Sequence, residues 1–173
     1  MSRIFRANLL PHIFNGERRK SPAGRVRVSG FHYEGAGMQA MYGTRVIEGT
    51  RTQPDERGVY SARVTIRGKQ KKQPSHFFPR TWTRAQVLQA IQQAYTDRRP
   101  TCSVNRARQW FCGKCESGIV IMFYLDEGVI QTATPIPARV EAPSKKNHKQ
   151  RARARRAWLR HLTSQSPAYQ IST

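Results

Sequence analysis

Five histidines, at positions 12, 32, 76, 148 and 161, can give and take protons near neutral pH. Two of them in one site would form a base–acid pair. Such a pair suits cleavage of a phosphodiester beside a free 2′-hydroxyl, because that substrate carries its own nucleophile. A base takes the hydroxyl proton, an acid protonates the leaving 5′-oxygen, and polar donors hold the charge on the phosphate. The chemistry needs no metal and no cofactor. Residue type alone does not choose the pair, since an isolated histidine more often packs or lies on the surface than catalyses.

Cys102, Cys112 and Cys115 offer a second chemistry. An odd, low count is not a disulfide framework. Cys112-Gly-Lys-Cys115 has the spacing of half a zinc knuckle or of a redox pair. A zinc site would need Cys102 and a distant histidine such as His76 to reach four ligands. A local disulfide and packed or free thiols are the other readings, and the spacing leaves all three open.

The elements that must position these groups follow from patterning. Pro11 suits the first turn of a helix just before His12. Ser21-Pro-Ala-Gly24 marks a loop, and Arg25-Val-Arg-Val-Ser29 alternates as a half-buried strand does. It leads into Gly30-Phe-His32, a glycine-flanked turn suited to the rim of a cleft. Met38 to Arg57 reads as mostly loop. Val59 to Ile66 reads as one strand, closed by Gly68-Lys-Gln-Lys-Lys72. Phe77-Phe78-Pro79 is an apolar anchor. Thr83 can cap a helix from Arg84 to about Asp97, with Val87, Leu88, Ile91 and Tyr95 on one packing face. Gly118 to Leu125 and Val129 to Thr134 flank an Asp-Glu-Gly turn and form a hairpin that Pro135 and Pro137 end.

These blocks resemble the EndoU endoribonucleases, in particular the EndoU domains at the ends of bacterial contact-dependent and polymorphic toxins. Pro11-His12-Ile-Phe-Asn-Gly16-Glu17 is similar to the family's first histidine segment, and Gly30-Phe-His32-Tyr-Glu-Gly35 to its second. Phe77-Phe78-Pro79-Arg-Thr-Trp82-Thr is similar to the stretch before the family's helix. Asp126 to Ile136 resembles its final hairpin. The four blocks stand in the family's order over about residues 9–137.

The resemblance implies an α+β fold: an N-terminal helical segment and one main helix packed on an antiparallel sheet. It implies RNA cleavage that leaves a 2′,3′-cyclic phosphate, with no metal or cofactor. The catalytic residues it implies are His12, His32 and Thr132, with His32 as base and His12 as acid or the two roles exchanged, and Thr132 bonded to the phosphate. Thr134 and Gly30 are implied substrate contacts. Other members use a lysine as third residue, and Lys69, Lys71 and Lys72 stand in the matching region, with Lys69 and Lys72 as the expected contacts. Trp82 and Tyr33 could stack on a base or pack in the core. The chain departs from the family in having Thr134 where tyrosine is common, and in a longer stretch between Gly16 and Gly30.

The charge balance fits a polyanionic partner. Thirty-one Lys and Arg face 10 Asp and Glu, for a net charge of +21. Eight of the positive charges fall between Lys145 and Arg160, and no acid follows Glu141. Residues 1–144 therefore carry 23 − 10 = +13, so the body is basic as well as the tail. Composition divides the chain into a body at 1–143, the nuclease domain that the resemblance implies, and a basic extension, helical or solvated, at 144–173. RNA is the expected partner, with an acidic immunity protein as a second. A non-catalytic RNA- or DNA-binding protein explains the charge but leaves the ordered blocks unaccounted for. No segment reaches the ~20 apolar residues of a membrane span, and the first residues lack the apolar stretch of a secretory signal. The expected location is the cytoplasm, or a target cell reached by a non-classical route.

Overall fold

The computed structural model describes residues 4–35, 43–100 and 110–138. Its elements, in chain order, are α1 (Leu9–Asn15), β1 (Glu17–Lys20), β2 (Val26–Ser29), β3 (Thr44–Val46), β4 (Tyr60–Ala62), β5 (Val64–Ile66), β6 (Lys69–Gln70), β7 (Ser75–Phe77), α2 (Arg84–Thr96), β8 (Arg99–Pro100), β9 (Trp110–Lys114), β10 (Val120–Asp126) and β11 (Val129–Ile136). The fold is α+β. Every paired strand among them runs antiparallel to its neighbour.

The largest sheet has the order β11-β10-β9-β8 and carries α2 on one face. Helix α2 starts where the sequence places it. The Thr83 hydroxyl accepts from the Gln86 amide, and the Gln86 side chain accepts from the Thr83 amide. That reciprocal cap satisfies two donors that a helix end otherwise leaves bare. Its buried face is Val87, Ala90, Ile91 and Ala94, with Leu88 and Tyr95 at its margin. Helix and sheet meet closely at Gly113, where a Cβ would lie 1.8 Å from the Ala94 carbonyl oxygen.

Two cores meet side by side. Leu9, Ile13, Phe78, Val87, Ile91, Ile121, Phe123 and Ile130 form the first, between α1, α2 and the large sheet. Phe31, Tyr60, Val64, Ile66 and Phe77 form the second, under the smaller sheets. Neighbours in sequence divide between them: Phe31 enters the second core and Tyr33 the first. His32 is thereby held at the seam.

Two expectations are corrected and a third is refined. Residues 59–66 are two strands, not one: β4 pairs with β7, β5 pairs with β3 and β6, and exposed Arg63 separates them. The stretch 38–57 holds strand β3, whose Thr44 hydroxyl donates to the Asn15 carbonyl and fastens it to the end of α1. Pro135 does not end the last strand; it pairs with Ile121 inside β11. Because β11 is the sheet edge, a residue without an amide hydrogen costs no ladder bond on the open side.

The expected boundary at 143/144, the basic tail and Cys102 lie outside the described residues. Among the described residues no helix is long and apolar enough to cross a membrane, and no cluster of three metal-ligating side chains occurs. Cys112 and Cys115 are buried in and just after β9.

Candidate active site

His12 sits in the last turn of α1, and His32 in the turn after β2. The long stretch between them is a tight hairpin. Glu17 pairs with Ser29 and Lys20 with Val26, and Gly24, with φ 74°, closes a short turn back to Ser21. The insertion therefore returns the chain to its starting point. The Phe31 amide donates to the His12 carbonyl at 2.9 Å, and the His32 amide to the Ile13 carbonyl at 2.7 Å. The two rings end with centroids 6.2 Å apart. Gly30 permits this approach: its φ is 79°, and a Cβ there would stand 2.1 Å from the His12 carbonyl oxygen.

Strand β11 supplies a threonine to each histidine. Residues two apart on a strand share a face, so Thr132 and Thr134 point the same way. Thr132 Oγ1 lies 2.8 Å from His12 Nε2, and Thr134 Oγ1 lies 3.2 Å from His32 Nδ1.

Hydrogen bonding fixes the His32 tautomer. Its Nδ1 is 2.9 Å from the His76 carbonyl oxygen, which can only accept. Nδ1 therefore carries the hydrogen, with Thr134 Oγ1 as a second acceptor, and Nε2 of the neutral ring keeps its lone pair. His76 is itself held by its ring, with Nδ1 2.7 Å from Ser61 Oγ.

His12 is wired differently. Its Nδ1 lies 3.4 Å from Glu17 Oε1, near enough to feel the charge but too poorly aligned for a hydrogen bond. Arg6 at 2.6 Å and Arg19 at 2.7 Å grip the same carboxylate. Burial raises the Glu17 acid, but His12, Arg6 and Arg19 outweigh it and hold it below the ordinary range. Burial takes His12 down to about 4 against the opposing pull of Glu17, with Arg6 and Lys71 adding to the fall. Burial, then Lys71, keeps His32 well below the usual histidine value.

Lys71 completes the cluster. Its Nζ donates to the Gly30 carbonyl at 3.1 Å and to Ser75 Oγ at 2.8 Å, and burial lowers it to about 8. Lys69 and Lys72, on either side, are exposed. Strand parity does not separate Lys69 from Lys71, which are two residues apart; Lys71 stands just past β6, where its amide donates to the Val64 carbonyl at 2.9 Å and its side chain turns to the seam. Sequence patterning could name the three lysines but not which one turns in. Glu17 was visible only as part of a block, and its contact with His12 needs the hairpin. Gly30 offers its carbonyl to Lys71, so its part is geometric. Tyr33 donates to the Trp82 carbonyl and is buried, while Trp82 stacks on Phe78, so both belong to the core.

The arrangement has a lone-pair nitrogen on one ring, a second ring backed by a carboxylate, and hydroxyl and ammonium donors between and beside them. It can take a proton at one point and deliver one at another, around an anion.

Comparison with known proteins reaches the same segment of chain. A family model described as bacterial EndoU nuclease matches residues 7–137. A protein of Bacillus cereus (strain ATCC 14579) named "Toxin" is 31% identical over 135 residues, covering 76% of this chain and 23% of its own length. The chain thus corresponds to under a quarter of that relative. No solved structure matches.

Proposed function

The chain belongs to the bacterial EndoU nuclease family, and from that premise we propose that it is a metal-independent endoribonuclease, the nuclease part of a bacterial toxin. His32 Nε2 takes the proton of a ribose 2′-hydroxyl, and the 2′-oxygen attacks the adjacent phosphorus. The bond to the 5′-oxygen breaks, and that oxygen leaves with a proton from His12 Nε2. The products are a 2′,3′-cyclic phosphate and a 5′-hydroxyl. Proton exchange with water then resets both rings. Thr132 and Lys71 donate to the phosphate oxygens as charge gathers there.

The observation that carries this reading is the unequal wiring of the two rings. The carbonyl of His76 commits Nδ1 of His32, which leaves Nε2 as a base. The carboxylate beside Nδ1 of His12 favours the protonated ring and so the acid role. An approaching phosphate adds negative charge to a site where burial, Arg6 and Lys71 hold His12 low, and so raises it towards the protonated form. A toxin of this type also calls for a neutralising partner, and an acidic immunity protein suits a body of this charge.

The test is cleavage in EDTA with analysis of the ends. The wild type should cut single-stranded RNA and leave cyclic phosphates. His12→Ala and His32→Ala should each lose about 10²–10⁴-fold in kcat, the usual range for a general acid or base, and still bind RNA. Undiminished cutting by both variants, or binding without any cutting by the wild type, would sink the reading, and the second result would favour a non-catalytic RNA-binding protein.

A further inference from the structure

The hairpin of β1 and β2 carries more charge than its connection between the two histidines requires. Residues 17–29 hold Arg18, Arg19, Lys20, Arg25 and Arg27 against the single acid Glu17. All five cations are exposed. The register places Arg19 directly opposite Arg27, and like charges in that position destabilise a strand pair. Among the described residues no carboxylate pairs with Arg25 or Arg27. Glu17 answers Arg19 at 2.7 Å, so the charge left unanswered on the hairpin is that of Arg25 and Arg27.

Alternation gives the arm a direction. Glu17, Arg19 and Ser21 share one face with their cross-strand partners Ser29, Arg27 and Arg25. Glu17 on that face reaches His12. The other face is occupied: Val28 packs on the second core, and Arg18 Nη1 donates to the Arg67 carbonyl at 3.4 Å. The arginine face therefore starts at His12 and runs outward, about 6.6 Å for each two-residue step.

We propose that this face of the hairpin is a phosphate-binding arm, on which Arg19, Arg25 and Arg27 hold the RNA backbone on the 3′ side of the cut. The inference rests on the acid role given above to His12. The acid stands at the leaving 5′-oxygen, and that oxygen belongs to the 3′ portion of the strand. Nucleotides downstream of the cut leave the site past His12 and meet the arm; upstream nucleotides leave past His32.

The experiment uses the full chain and chimeric oligonucleotides in which one ribonucleotide, tried with each base, stands in an otherwise 2′-deoxy strand. The single 2′-hydroxyl fixes the cut. Six deoxynucleotides are added on the 3′ side or on the 5′ side. For the wild type, 3′ extension should raise kcat/KM well above that of the short substrate. Arg25→Gln/Arg27→Gln should remove about tenfold of that gain and leave any gain from 5′ extension in place. Equal loss on both extensions, or no loss on either, overturns the proposal; no loss would leave the arm for an acidic protein surface.

Binding is measured separately with a fully 2′-O-methylated RNA, which offers no nucleophile. Loss of two phosphate contacts should flatten the slope of log affinity against log salt by about 1.4. An unchanged slope also overturns the arm. A wild type that cuts nothing, but whose slope flattens in the variant, would fail the nuclease reading and with it the 3′ assignment while keeping the phosphate-binding face, so the two outcomes are distinguishable.

Discussion

The two histidines share a site and a burial, yet their neighbours set them apart, and that contrast predicts a pH signature. The productive free enzyme needs His32 neutral and His12 protonated. Burial holds His12 at about 4 in the empty site, so the alkaline limb of kcat/KM should begin below the ordinary histidine range. In the bound complex the phosphate opposes that depression, so the limb of kcat should lie at higher pH. Coincident limbs near pH ~6.5 would contradict the assignment. Glu17→Gln removes the charge that raises His12. Its kcat/KM limb should move further towards acid by roughly one unit or more, the scale for a carboxylate in contact, and activity near neutrality should fall. A variant with lower activity but an unmoved limb would reduce Glu17 to a scaffold. His12, His32 and Thr132 were legible in sequence because their blocks keep a recognisable order. Lys71 and Glu17 were not singled out, since one is selected from three lysines by how the chain leaves β6 and the other by a cross-strand return.

At the scale of elements, the arrangement depends on how tightly the end of α1 meets the turn after β2. Gly30 and Gly24 both have positive φ, but their surroundings differ. A Cβ on Gly30 meets the His12 carbonyl at 2.1 Å, whereas one on Gly24 meets nothing within 4 Å. Gly24→Ala should therefore cost only backbone strain, about 1 kcal/mol. Gly30→Ala adds displacement of the helix end and should cost at least about 2–3 kcal/mol, with a larger loss of activity as the ring separation changes. Urea midpoints at constant slope separate the two, and equal costs would show that the contact is not rigid. Local signals wrote α2 and the β10–β11 hairpin plainly: a cap, a helical stripe, a short turn containing Gly128. They did not write the break at Arg63, because Tyr60 to Ile66 alternates through it and only the competing partners β7 and β3 divide it. Strand β3 was missed for the reverse reason. Thr44-Arg-Val46 is too short to show a period, and it exists through its pairing with β5.

For the molecule as a whole, a large excess of positive charge makes each acid valuable, and the structure uses its acids as anchors. Glu34 is gripped by Arg51 and accepts from the Tyr60 hydroxyl at 2.7 Å. Asp55 accepts from the amides of Arg57, Val59 and Ala138 and so ties the last described residues to the loop before β4. Burial raises both acids, but these partners prevail and hold them below their ordinary values. Their contribution is full above the unfolded carboxylate range and is lost as pH falls through the depressed values. The buried His12 acts in the same direction at higher pH. Its folded value of about 4 lies below the unfolded 6.5, so across that window the unfolded chain binds the proton first and stability falls as the solution is acidified. At about 1.4 kcal/mol per unit, that one ring accounts for about 2 kcal/mol between pH ~7 and pH ~5. The fold should therefore weaken in mild acid before any carboxylate titrates. Unfolding in urea at those two pH values should show the loss. In His12→Asn, which keeps a polar group of similar reach but cannot charge, the loss should shrink by about that amount. An equal loss in the variant would move the acid sensitivity away from His12, and with it the claim that the empty site holds this histidine neutral.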